Sequence, residues 1–158
     1  MAPAPDSHNG TPPNGTPRIE HLRVALELRI PSDVRYIERI VELVTRQCAE
    51  LSFPARHCAL NVPVALSEAL SNAILRGNRE DPSRQVRVKA ALDSSSLVVE
   101  VADEGEGFDI EACMIDPTAP ENLAREDGRG LFLMRRLMHR VERFTDGGNV
   151  VRLTLLRE

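Results

Sequence analysis

The chain has 158 residues, enough for one domain with its own hydrophobic core and little more. Hydrophobic residues at 42% and charged residues at 28% are close to soluble-globular averages, which disfavours wholesale disorder, collagen and coiled-coil arrays. A net charge of -4 with scattered basic residues argues against a nucleic-acid surface, and 3% aromatics with no Trp argue against a base-stacking platform. Three widely spaced cysteines, Cys48, Cys58 and Cys113, fit reduced thiols and hence the cytoplasm. No apolar run approaches the roughly 20 residues of a membrane span, and no signal peptide is expected.

Residues 1–17 hold five of the eleven prolines with Gly10 and Gly15, a composition that predicts a flexible tail, so the domain is expected over 18–158. Leu22, Val24, Leu26, Leu28 and Ile30 alternate with mostly polar or small residues and predict a strand. Val34, Ile37, Ile40, Val41, Val44, Cys48 and Leu51 form a helical stripe, with Ser32 as the expected N-cap. A second helix is expected from about Val64 to Arg76, ending at Gly77. Val86 to Leu92 and Leu97 to Ala102 predict two antiparallel strands around the turn Asp93-Ser94-Ser95-Ser96. Asp103 to Gly128 is long for a connection and predicts a functional loop or lid. Helical spacing returns from Arg129 to Val141, and a last strand pair turns at Asp146-Gly147-Gly148. This order predicts an α+β fold, a two-layer sandwich with helices on one face of a mostly antiparallel sheet.

Three segments carry chemistry. Glu68 and Asn72 stand four apart on the second helix with Arg76 four further on, so a carboxylate and an amide oxygen share a face. The pair could accept a proton and ligate a hard cation, or form a solvated helix face. Asp103-Glu104-Gly105-Glu106-Gly107-Phe108 follows an apolar strand, where Asp103 would suit an amino group such as that of adenine; a plain acidic turn is the alternative. An EF-hand would need Gly at the place of Phe108. Gly128-Arg129-Gly130 before the last helix could cradle phosphate on helix amides, or serve as a hinge. Lys89 is the only lysine and has no P-loop around it, the four histidines lack metal spacing, and no GxSxG elbow is present.

Ser67-Glu68-Ala69-Leu70-Ser71-Asn72-Ala73, Asp103 to Phe108 and Gly128-Arg129-Gly130-Leu131, in this order, resemble the N box and two glycine boxes of GHKL (Bergerat-fold) ATPases. With the strand-helix beginning and Leu131-Phe132-Leu133-Met134, the chain looks most like anti-sigma-factor serine kinases of bacterial partner-switching systems. The resemblance implies ATP and Mg2+ as ligands, Glu68 as catalytic base, Asn72 as Mg2+ ligand and Asp103 as adenine acceptor. It further implies that Gly105 and Gly107 shape the pocket, that Gly128 and Gly130 line a lid approached by Arg129, and that Thr154 supports adenine. Arg76 stands where the family often has His. The implied activity is phosphorylation of an anti-anti-sigma (STAS-type) partner, with sequestration of a sigma factor and a homodimer both compatible. A nucleotide-dependent binding module with little catalysis is the alternative it leaves open.

Overall fold

The computed structural model describes residues 22–105 and 127–158. The tail, Gly107, Phe108, Cys113 and most of the expected lid lie outside the described residues. Five strands form one antiparallel sheet in the order β1-β2-β3-β5-β4: β1 Val24–Pro31, β2 Gln85–Leu92, β3 Ser96–Ala102, β4 Arg140–Thr145 and β5 Asn149–Leu156. Helices α1 Ile37–Glu50, α2 Val62–Asn72 and α3 Asp127–Leu137 join the core with the apolar face of the sheet. The α+β sandwich expected from the element order is the fold observed.

Alternation along the strands sets the layering. Ile30, Val86, Val88, Ala90, Leu97, Val99, Val101, Leu153 and Leu155 are buried beneath the helices. The opposite face carries a charge row across all five strands, Glu27, Lys89, Glu100, Arg152 and Glu142. Within it the Arg152 guanidinium pairs with Glu100 at 2.9 Å and lies over the Phe144 ring at 4.7 Å. One face therefore drives burial while the other stays polar, as antiparallel sheets allow.

α1 buries Ile40, Val44 and Cys48, one position per turn, and burial pushes the Cys48 thiol up to about 12, which makes it a core side chain rather than a nucleophile. α2 is the middle helix, packed against α1 and α3, and is extended at both ends by π-helical turns, His57–Asn61 and Ala73–Gly77. The resulting run His57–Gly77 is long and apolar enough to cross a membrane by length and composition, contrary to the expectation that no such stretch exists. Its apolarity answers to the core, because Val62, Ala65, Leu66, Ala69, Leu70, Ala73 and Ile74 are all buried in it.

Boundaries differ from those predicted at the start of α1 and at the end of α3. Asp33 rather than Ser32 caps the first helical turn, accepting from the Arg35 amide at 2.9 Å, and a 3-10 turn Val34–Tyr36 precedes α1. α3 stops at Leu137 instead of Val141: Asn61 donates to the Leu137 carbonyl at 2.6 Å, and Val141 pairs with Leu153 in β4. A ladder and a cap outcompete further helix there.

Ser32 has another task, donating to the Arg84 carbonyl at 2.7 Å and accepting from Asn78 at 3.0 Å. Asn78 is fully buried; its amide also donates to the Gln85 carbonyl at 2.9 Å, and its oxygen accepts from the Glu104 amide at 2.7 Å. One side chain thus fastens the end of the long helical run to β1, to β2 and to the segment after β3. Asn78→Ala is expected to cost roughly 3 kcal/mol, because it removes three hydrogen bonds that tie three segments together and leaves the buried Ser32 hydroxyl without its donor. Urea denaturation of the variant checks this; an unchanged midpoint and slope contradict it.

Candidate functional site

The long helical run presents its polar side chains to α3. Glu68 and Asn72, one turn apart on α2, are both half-buried. Among the described residues neither side chain has a hydrogen-bond or ion-pair partner, so a carboxylate and an amide stand side by side with their bonding capacity unspent. The first turn of α3 meets them. Gly128, Arg129 and Gly130 lie inside this helix rather than in a loop before it. Glycine in a helix costs about 1 kcal/mol against Ala, and the reason for Gly130 is space. A Cβ there would stand 2.5 Å from Glu68 Oε2 and 3.6 Å from Asn72 Nδ2. Arg129 is exposed on the same turn, and Arg76, exposed on the π turn after Asn72, is engaged in an interaction.

At the far end of the run stands Asp103, immediately after β3 and only 6% exposed. No cation pairs with it among the described residues; amides hold it instead. Its Oδ1 accepts from the Gly105 amide at 2.9 Å, the Asn149 side-chain amide at 3.2 Å and the Asn149 backbone amide at 3.4 Å. Its own N–H donates to the Asn149 carbonyl at 2.9 Å. The other oxygen, Oδ2, lies over Gly77, where any Cβ would collide with the carboxylate. Gly148, in the β4–β5 turn, likewise lies against the Asp103 carbonyl with no room for a side chain. A strand end, a helix end and a hairpin turn therefore converge on one buried carboxylate, and the two glycines permit the approach.

Glu68, Asn72, Asp103, Gly105, Gly128, Arg129 and Gly130 thus border the helical run at its α3 side or its end. Gly107 lies outside the described residues. Thr154 is not brought to this group. It lies five positions beyond Asn149 on β5, paired with Val98 and Arg140 and facing away from the helices with Arg152. The residue of β5 that touches Asp103 is Asn149, which the sequence reading missed; a polar side chain directly after the Gly147-Gly148 turn was the available signal. Gly77 was read as a helix stop and also holds open the slot beneath Asp103. A shallow depression of about 420 Å³ on the open sheet face, over Ala25, Ala91 and Val98, is away from these groups.

The arrangement offers a proton acceptor and an amide oxygen at one end, and at the other a buried carboxylate with one oxygen saturated by N–H donors. Gly77→Ala is expected to drive the Asp103 carboxylate off Asn149 and to cost about 1–3 kcal/mol. The Asn149 side-chain amide resonances report it, and unchanged resonances in a folded variant contradict it.

The model of the histidine kinase-like ATPase domain matches residues 30–155. The serine-protein kinase RsbW of Bacillus subtilis (strain 168) is 28% identical over 134 residues, 82% of this chain and 83% of that protein. Its namesake from Bacillus licheniformis is 29% identical over the same shares, and that of Oceanobacillus iheyensis 26% identical over 74% and 77%. Among solved structures, the RsbU and RsbW domains of Rv1364c from Mycobacterium tuberculosis match with a TM-score of 0.57 at 20% identity, covering 84% of this chain. The match takes in 32% of that protein, and the likeness is one of fold.

Proposed function

The chain belongs to the histidine kinase-like ATPase domain family, and from that premise we propose that it is an ATP- and Mg2+-dependent serine/threonine protein kinase. In this reading it is a cytoplasmic regulator of transcription that phosphorylates a small anti-anti-sigma partner of STAS type and sequesters a sigma factor. The observation that carries the reading is the placement of Glu68, Asn72 and Asp103 along one continuous helical run. Glu68 and Gly77, which underlies Asp103, are nine residues apart, about 13 Å at helical rise. That span suits a nucleoside triphosphate with its base at Asp103 and its phosphates at α3.

The donor set fits the metal. Asn72 offers a hard amide oxygen of the kind Mg2+ accepts, without a protein partner among the described residues. Bound Mg2+ supplies neutralisation of the phosphate charge, and Asn72 would hold it. Asp103 Oδ2 would accept from the exocyclic amine of adenine, beside Gly105. The first turn of α3, with Gly128, Arg129 and Gly130, would meet the phosphates through its amides and the positive end of its dipole. Phosphoryl transfer rests mainly on positioning and charge neutralisation, so the absence of a P-loop lysine is no obstacle. Glu68 would take the proton of the partner's hydroxyl as its oxygen bonds to the γ-phosphorus and ADP leaves. The RsbW relatives, named as serine-protein kinases, support this reading.

The purified chain with ATP, Mg2+ and its cognate STAS protein should transfer phosphate to a serine or threonine. Glu68→Gln is expected to lower transfer by about 100-fold or more while leaving nucleotide affinity nearly unchanged. Asn72→Ala is expected to weaken Mg2+-dependent nucleotide binding itself. Equal transfer by Glu68→Gln and wild type contradicts the role of the carboxylate.

A further inference from the structure

The first turn of α3 meets Glu68 and Asn72, and its last turn is fastened from the start of the helical run, where Asn61 of the π turn His57–Asn61 donates to the Leu137 carbonyl at 2.6 Å. The same turn carries His57, which is 8% exposed and four residues before Asn61. His57 Nδ1 and Asn61 Oδ1 are buried and have no hydrogen-bond partner among the described residues. The imidazole lies near the Phe53 ring, 6.4 Å between centroids, and faces two groups that are cationic or can become so: His139 from the α3–β4 link and Arg56 beside it on the chain. His139 is held in place, since its amide donates to the Thr154 carbonyl at 2.9 Å and its Nδ1 accepts from the Leu156 amide at 3.0 Å. The thiols of Cys58, next on the turn, and of Cys48, on α1, supply no negative charge, because burial pushes both up.

A histidine in this setting packs well only as the neutral ring. Burial first, then His139 and Arg56, hold its titration below the usual 6.5, and no carboxylate is among the groups that shift it. Once protonated, the ring recovers its hydration only by leaving the pocket, and the turn that carries it also carries Asn61. We propose that His57 is an acid-sensitive latch on α3: neutral, it lets the π turn pack so that Asn61 holds Leu137, and protonated, it lifts the turn and frees the last turn of α3. Linkage sets the direction. The released state binds the extra proton, so the latched state is favoured above about pH 6.5 and gives way as pH falls below it, by at most about tenfold in the latched-to-released ratio per pH unit for one proton. With its last turn freed, α3 no longer sets Gly130 firmly against Glu68 and Asn72, and that wall of the site loosens with it. The latch is a matter of helix packing and holds whichever ligand the site takes.

Met134 and Met138 are buried on α3, so their methyl groups report its packing. NMR of the full chain with isotope-labelled methionine methyls, titrated from about pH 8 to about pH 5 while the His57 ring signals are followed, reads the latch and the proton together. In the wild type the Met138 methyl is expected to shift along one curve with the His57 ring, at a midpoint below 6.5. His57→Phe keeps an aromatic ring in the pocket but takes no proton, and should hold the alkaline spectrum throughout; His57→Gln replaces it where the Phe variant does not fold. Asn61→Ala, which cuts the clamp and leaves His57 in place, should show the acid position of Met138 already at about pH 8. A Met138 methyl that stays put while His57 titrates overturns the inference, as does a His57 ring that takes up no proton over this range. So does an acid response undiminished in a folded His57→Phe or His57→Gln chain, or an Asn61→Ala chain with the alkaline wild-type spectrum.

Discussion

A carboxylate buried with no cation beside it among the described residues has to be held by N–H groups, and the arrangement around Asp103 follows from that requirement. An ionised group withdrawn from water is costly unless its lone pairs are met. Here three amides meet one oxygen, and they come from two places far apart in the chain, the Gly105 backbone after β3 and both amides of Asn149 at the start of β5. That demand joins the end of β3 to the β4–β5 turn. Gly77, Gly105 and Gly148 are the positions around Asp103 where backbone comes so close that no side chain fits. The helical run therefore meets the strand end through backbone packed directly on the carboxylate as well as through its apolar stripe.

The second constraint is the dual duty of the helical run. Its apolar residues fill the centre of the core, while Glu68 and Asn72 emerge where α3 crosses. Gly130 lets that crossing be close, and Asn61 at the other end of the run pins the last carbonyl of α3. The fold thus sets the separation of the two polar ends through the rigidity of one helix. Asn78 completes the frame by tying the helix end to β1, to β2 and to the Glu104 amide.

The sheet, its alternation and the order of elements were legible because burial on one face writes a period of two into β2, β3 and β5. Glu68, Asn72 and Asp103 stood out by spacing and by position at a strand end. Thr154 was assigned by resemblance on residue type in the last strand, but alternation places it with Arg152 on the face away from the helices. Asn149 was hidden because its partner Asp103 lies 46 residues away, and only the pairing of β3 with β5 reveals the contact. Ser32 read as a cap because its type suits one, yet the buried demand of Asn78 and the Arg84 carbonyl claimed it. Helical spacing ran through Val141 for a similar reason, since period alone cannot register that a ladder with Leu153 competes for the same residues.

The account stands or falls on whether these separated groups enclose one ligand. A crystal structure with Mg2+ and a non-hydrolysable ATP analogue tests it most directly. The account predicts the adenine amine on Asp103 Oδ2, the metal on Asn72 and the γ-phosphate between Glu68 and the first turn of α3. A nucleotide bound elsewhere, or one that touches Asp103 while its phosphates point away from α2 and α3, would contradict it.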